Sequence, residues 1–206
     1  MPKKKENKED AKDAVSRLMS GGVGVLRTDT VYGLVARADC KEAIDRIYSL
    51  KGRDGRKPFI ILISKIEDLK IFGVCPGSRQ KNILRKIWPG KFSVILPCRD
   101  KKFAYLHRGS FGLAFRLPKR ASLTRIIEKT GPLVAPSANP QGLPTAKTVA
   151  EAKKYFGKGV DFYLDGGYCA GEPSALVEFC KRGRLCVIRG KMPKSKSLRG
   201  LFAKNC

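Results

Sequence analysis

Leu50-Lys51-Gly52-Arg53-Asp54-Gly55-Arg56-Lys57-Pro58 runs directly into Phe59-Ile60-Ile61-Leu62-Ile63, and this stretch decides the fold. Ahead of it, residues 41–50 carry Ile44, Ile47 and Tyr48 at helical spacing. The glycine turn stops that helix, and the short continuous apolar run suits a central strand covered on both faces. A helix passing through a turn into a buried strand is a building unit of a layered α/β domain. The turn also holds four cations within seven residues. A charge run by itself reads as a solvated face. Fixed at the edge of a sheet, the same charges could receive a nucleoside triphosphate or a nucleic-acid backbone.

The alternation continues outward on both sides. Residues 8–19 predict an amphipathic helix with Ala11, Val15, Leu18 and Met19 on one side, stopped by Ser20-Gly21-Gly22. Strands are expected at 23–26 and 35–38, and helices at 66–72 and 78–87, the latter ended by Trp88-Pro89-Gly90. Residues 92–96 and 112–117 read as strands flanking a loop at 99–110. A helix at 121–129, a strand at 133–135 and a helix at 146–156 follow. Short strands at 160–164, 175–179 and 184–188 close the pattern. Together these predict a three-layer α/β single domain over 8–191. Residues 1–7 read as a basic extension, and 192–206 as a basic tail that is expected to be mobile.

The chain of 206 residues carries a formal net charge of +25, unevenly spread. Residues 50–130 hold 20 Lys/Arg against 5 Asp/Glu, and residues 181–206 hold 9 against none. Residues 1–13 are nearly balanced, five lysines against four acids. Charge of one sign concentrated in this way implies an anionic partner, phosphorylated or nucleic acid. No apolar run approaches the ~20 residues that span a bilayer. The lysine-rich start is followed by no apolar segment and is not read as a secretory signal. The expected location is cytoplasmic, with no membrane partner.

Seven cysteines, at 40, 75, 98, 169, 180, 186 and 206, form no Cys-x-x-Cys pair, and there is one histidine. That spacing suits no zinc site, so no protein-held metal is expected and the thiols are read as reduced. His107 lies in a basic loop and reads as a surface residue.

Common nucleotide signatures fail. Gly22-x-Gly24 lacks its third glycine because position 27 is arginine, and no Gly-x-x-x-x-Gly-Lys-Ser/Thr occurs. No Gly-x-Ser-x-Gly elbow occurs either. Three loops still carry chemistry. Arg27-Thr28-Asp29-Thr30-Val31-Tyr32-Gly33-Leu34 offers hydroxyls and an aromatic wall. The basic turn offers Lys51 and Arg53. The third, Ala135-Pro136-Ser137-Ala138-Asn139-Pro140-Gln141-Gly142, offers Ser137 and Asn139, which face one side if the segment is extended.

In combination these loops resemble the YrdC/TsaC family of threonylcarbamoyl-adenylate synthases, over about residues 13–191. The family's Pro-Thr-Asp-Thr-x-Tyr-Gly-Leu appears as Arg27 to Leu34, its Lys-x-Arg as Lys51 and Arg53, and its Lys-Pro as Lys57-Pro58. Trp88 to Gly90 matches its Trp-Pro-Gly, and Gly112 to Arg116 its arginine-ended strand. Ser137 to Gly142 matches its Ser-Ala-Asn-x-x-Gly. Pro173-Ser174-Ala175-Leu176 and Arg189-Gly190 match its last two motifs. Arg27 replaces a proline, Ser93 a frequent threonine and Ala175 a threonine. Longer members carry a second C-terminal domain, which a chain of this length is not expected to have.

The resemblance implies a YrdC-like fold, a twisted mixed β-sheet flanked by helices with a positively charged concave groove. It also implies condensation of L-threonine, bicarbonate and ATP, with Mg2+ accompanying ATP on its phosphate oxygens. Lys51 and Arg53 are assigned to the triphosphate, with Lys57 adding to the field. Ser137 and Asn139 orient phosphates or ribose, so that Lys51, Arg53, Ser137 and Asn139 form the catalytic set. Ser174 and Arg189 complete the ATP side. Thr28, Thr30 and Tyr32 line a threonine pocket in which Arg116 pairs with the carboxylate. No proton acceptor stands out. Implied partners are tRNA or double-stranded RNA and a downstream threonylcarbamoyl-transferase complex. The alternative is a non-catalytic tRNA or double-stranded RNA binder using the same basic face.

Overall fold

A computed structural model describes residues 7–180 and 183–203; residues 1–6, 181–182 and 204–206, which include the outer parts of both basic extensions, lie outside it. The Asn7 side chain accepts from Glu9 N and starts helix α1 (Lys8–Met19), which buries Ala14 and Leu18. Strands β1 (Gly24–Arg27) and β2 (Tyr32–Arg37) form a hairpin, and α2 (Lys41–Lys51) leads to β3 (Ile60–Leu62). A 3-10 segment (Ile66–Phe72) and α3 (Ser78–Ile87) precede β4 (Phe92–Pro97). Then come α4 (Ala104–His107), β5 (Gly112–Arg116), α5 (Ala121–Thr130), β6 (Leu133–Val134) and α6 (Val149–Phe156). The last elements are β7 (Phe162–Leu164), β8 (Ala175–Phe179), β9 (Leu185–Arg189) and a turn of helix α7 (Lys196–Arg199).

The strands make one mixed sheet in the order β7-β1-β2-β6-β3-β5-β4-β8-β9. Pairs β1–β7, β3–β5 and β4–β8 are parallel and the others antiparallel. Because successive strand side chains face opposite sides, the sheet feeds two cores. Ile61, Leu113, Phe115, Val94 and Val177 join α2, α3 and α6 on one face. Leu62, Val35, Leu133 and Leu26 join α1 and α5 on the other. These layers match the three-layer expectation. On the second face, however, α1 and α5 cover only the β7–β3 half. Ile60, Ala114, Arg116 and Leu176 of β3, β5 and β8 line a cavity there instead.

Several local readings change. Strand β2 begins at Tyr32 rather than at 35, because its pairing with β1 starts at the hairpin itself. Helix α6 begins at Val149 rather than 146, because Thr148 Oγ1 accepts from Glu151 N at 3.1 Å and fixes the start there. The loop expected at 99–110 contains α4, whose inward side places His107 at 3% exposure. His107 is therefore not a surface residue; its Nδ1 accepts from Gly109 N at 3.2 Å. Cys186 is disulfide-bonded, against the expectation of reduced thiols throughout.

The described part of the tail, through residue 203, is anchored rather than free. Phe202 is 2% exposed, packs its ring at a tilt against Phe92 (centroids 5.5 Å apart) and bridges Leu185 in parallel. Leu185 N donates to Leu201 O, and Ala203 N to Leu185 O, both at 2.9 Å. Phe202, with Leu198 and Leu201 packed against the same core, holds the segment, and charge counting alone does not register it.

Candidate active site

The β1–β2 turn is tied through one hydroxyl. Thr28 Oγ1 accepts from Thr30 N (3.1 Å) and Val31 N (3.2 Å) and donates to Val31 O (2.6 Å). Thr28 Oγ1 and Thr30 Oγ1 are 3.0 Å apart, and Arg116 Nη1 donates to Thr30 Oγ1 at 2.9 Å. The segment before β8 crosses closely behind: a Cβ on Gly171 would lie 1.9 Å from Thr30 O, so only glycine fits there. Cys169 Sγ adds a contact to Thr30 O at 3.3 Å.

Arg116 stands at the end of β5 and is 3% exposed. Its Nη1 lies 3.0 Å from Asp29 Oδ1, an ion pair without hydrogen-bond alignment, since Asp29 Oδ1 accepts no aligned bond. Asp29 Oδ2 accepts from Lys119 N at 3.0 Å. Arg116 Nε has no partner. Burial pulls the Arg116 guanidinium below its ordinary pKa and Asp29 pulls it back up. The result is a buried cation with one directed donor to spare.

At the far side, α2 ends on Gly52, whose left-handed φ of 55° turns the chain so that Arg53 N reaches Tyr48 O at 3.2 Å. The Arg53 guanidinium then lies over the Phe59 ring, 5.3 Å from its centroid. Its pKa is lowered, first by burial and further by the neighbouring Arg189 charge. Neither Arg53 nor Arg189 has an ion-pair partner among the described residues.

Thr28, Thr30, Arg53, Arg116, Ser137, Ser174 and Arg189 all line one cavity of about 280 Å3. Three arginines and no carboxylate are among its lining residues. Ser174, 5% exposed, shares a 2.9 Å hydrogen bond with Ser93, which is wholly buried.

The other four predicted residues lie off the cavity wall. Tyr32 points to the sheet face opposite Gly33, and its hydroxyl donates to Gly167 O at 2.7 Å, tying down the segment after β7. Burial raises its pKa to about 12. Asn139 leaves the expected extended path, since Asn139 N donates to Ser137 O (3.0 Å); its amide donates to Leu143 O (2.6 Å). Lys51 is 3% exposed and its Nζ donates to Ser137 O and Asn139 O, each at 2.6 Å. It thus clamps the loop whose Ser137 reaches the cavity. Lys57 is exposed in the turn. Arg27 donates to Gly166 O at 2.6 Å and also lies outside the wall.

The residues that sequence reasoning missed are the supporting ones: Asp29 behind Arg116, Ser93 behind Ser174 and Phe59 beneath Arg53. Asp29 stood within the Thr-Asp-Thr stretch, an acid flanked by hydroxyls. Ser93 was visible only as the residue standing where a threonine is frequent, and Phe59 gave no signal beyond its apolar run. Among the described residues, no three His, Cys, Asp or Glu side chains converge to hold a metal. No helix among them is long and apolar enough to cross a membrane.

Comparison with known proteins gives one consistent result. The Sua5/YciO/YrdC family model, described as telomere recombination, matches residues 16–190. A threonylcarbamoyl-AMP synthase of Hahella chejuensis is 34% identical over 74% of this chain and 84% of its own length. One from Bacillus subtilis is 32% identical over 75% of this chain but 45% of its own length. The crystal structure of Pyrococcus abyssi Sua5 complexed with L-threonine superposes with a TM-score of 0.80 at 23% identity, over 95% of this chain and 64% of that one. The chain thus spans most of a short relative and about half to two thirds of longer ones.

Proposed function

The chain belongs to the Sua5/YciO/YrdC family, and on that footing we propose that it is an L-threonylcarbamoyladenylate synthase. It condenses L-threonine, bicarbonate and ATP into threonylcarbamoyl-AMP and pyrophosphate. The observation that carries this reading is the cavity itself, in which Arg53, Arg116 and Arg189 converge with the hydroxyls of Thr28, Thr30, Ser137 and Ser174. Anionic groups must be brought together in this reaction, and fixed cations supply most of the help.

Arg116, with its spare Nε, pairs with the threonine carboxylate, and Thr28 and Thr30 line the amino-acid end. The threonine amine forms a bond to the bicarbonate carbon with loss of water, giving an N-carboxylate. A carboxylate oxygen then attacks the α-phosphorus, and the bond to the bridging oxygen breaks to release pyrophosphate. Arg53 and Arg189 hold the phosphates, for which the guanidinium fork suits bidentate contact. Ser137 and Ser174 orient the nucleotide. Lys51 acts by holding the Ser137–Asn139 loop, with Asn139 and Lys57 outside direct contact. A Mg2+ ion accompanying ATP would be carried by phosphate oxygens and would supply further charge neutralisation. The product then serves threonylcarbamoyl transfer to a tRNA adenosine by separate transferase proteins, in the cytoplasm. A buried Arg116 in the wall of a cavity favours this small-molecule chemistry over a purely RNA-binding role.

The deciding measurement is pyrophosphate release from ATP with threonine and bicarbonate omitted in turn. Release should need both. Equal release without threonine overturns the assignment.

A further inference from the structure

The open half of the sheet continues past the active-site cavity. Along β5, Arg116 and Ala114 line the first cavity, and Gly112, next on the same face, lines a second of about 380 Å3. Ile95, paired with Ala114 in register, and Glu178, next after Leu176 on that face, line it too. The second cavity thus lies further along the same strands.

Phe111 forms one wall of the second cavity and is unusual in two respects. It is 56% exposed, and its φ of 54° puts a bulky side chain in the left-handed region, where glycine would be at ease. Strain held at an exposed aromatic points to use rather than packing. The ring is nonetheless fixed in place. It lies 5.2 Å from the buried His107 ring, and Phe111 O accepts from Cys98 N at 2.8 Å. Ser110 Oγ braces the turn by donating to His107 O at 2.6 Å. Arg99 and Glu178, both exposed, complete the wall, and neither has an ion-pair partner among the described residues.

We propose that this cavity, bounded by Phe111, Arg99 and Glu178, binds an unpaired nucleobase of single-stranded RNA. Phe111 stacks on the base, since every base has a π-face for an aromatic platform. Arg99 meets the adjoining phosphate. The Glu178 carboxylate accepts from an exocyclic amino group, which adenine and cytosine carry and uracil lacks. The site is distinct from the ATP cavity and does not depend on the synthase assignment.

The test is fluorescence anisotropy with labelled oligo(A), oligo(U) and a blunt RNA duplex, without ATP, threonine or bicarbonate. Wild-type protein should bind oligo(A) more tightly than oligo(U). F111A should weaken oligo(A) about tenfold or more while sparing the duplex, and F111W should restore it. R99A should reduce the salt dependence by about 0.7 in the log–log slope, and E178Q should erase the preference for A over U. F111G, which relieves the strained φ, should fold at least as stably as wild type and bind like F111A. Threonine-dependent pyrophosphate release, assayed separately, should be unchanged in all of these variants. Undiminished oligo(A) binding by F111A overturns the proposal, as does an equal loss of single-stranded and duplex RNA.

Discussion

Arg116 Nη1 stands 3.0 Å from Asp29 Oδ1, with side chains only 4% and 6% exposed. The pair is close but poorly aligned, which keeps Arg116 charged without using up its donors. A buried charge that loses its counter-ion is costly, about 3–5 kcal/mol when one partner of such a pair is removed. D29N should therefore lower the urea midpoint. R116M leaves the Asp29 carboxylate without its counter-ion, so it should also lower the urea midpoint, and it should raise the threonine KM about tenfold or more. If R116M retained a wild-type threonine KM, Arg116 would not be the carboxylate partner.

Arg53 and Arg189 face one cavity without carboxylate partners among the described residues, and the Arg189 charge disfavours the Arg53 cation. Two such charges stay together at lower cost when an anion lies between them. Removing one directed donor from a developing charge costs about 100- to 1,000-fold in rate. R53A and R189A should each lower kcat/KM for ATP on that scale, and R53K should recover only part, having lost the fork. The double variant should fall short of the product of the two single losses, since both act on the same phosphates. Strict additivity would show that they serve separate groups.

Sequence reasoning reached the elements whose information is local. Helix α1 follows from 3.6-residue periodicity, and α2 from Ile44, Ile47 and Tyr48 at the same spacing before the Gly52 turn. It faltered where a distant group decides. Lys51 donates to carbonyls 86 and 88 residues away, which no pattern around Lys51 reveals. The same holds for Tyr32, whose partner is Gly167. Asn139 failed for a subtler reason: the two-residue rule requires an extended chain, and the chain turns at Ser137. The α6 start was readable, as Thr148-x-x-Glu151 has capping-box spacing, although Glu151 Oε2 accepts from Lys147 N at 2.8 Å, one residue before the cap.

Phe202 is the anchor that turns the C-terminal segment back onto β9 and Phe92. Truncating a buried phenylalanine costs about 3–5 kcal/mol. F202A should lose stability on that scale in urea unfolding, whereas K196A on the exposed turn of α7 should change it by less than about 0.5 kcal/mol. Because Arg189 lies on the strand that Phe202 braces, F202A should also raise the ATP KM. A fully stable F202A would mean that the segment contributes nothing to the sheet.

Lys51 gives the clearest pH signature. Burial, then the Arg53 charge, pull its ammonium down from 10.5 to about 8. Between these values the unfolded chain holds a proton that the folded chain has released. Unfolding free energy should then rise with pH through that window, by at most about 1.4 kcal/mol per pH unit from this group. Below pH 8 both states are protonated and the slope disappears. Activity should run the other way. Nζ donates to Ser137 O, Asn139 O and, at 3.4 Å, Asn139 Oδ1, and a neutral amine has only two protons for three acceptors. The Ser137 loop should loosen, and pyrophosphate release should fall above pH 8 while stability still climbs. K51M lacks the titrating group, so subtracting its stability profile from that of wild type isolates the effect. Parallel profiles between pH 8 and 10 would show that Lys51 keeps its proton and that its clamp is not the pH-sensitive element.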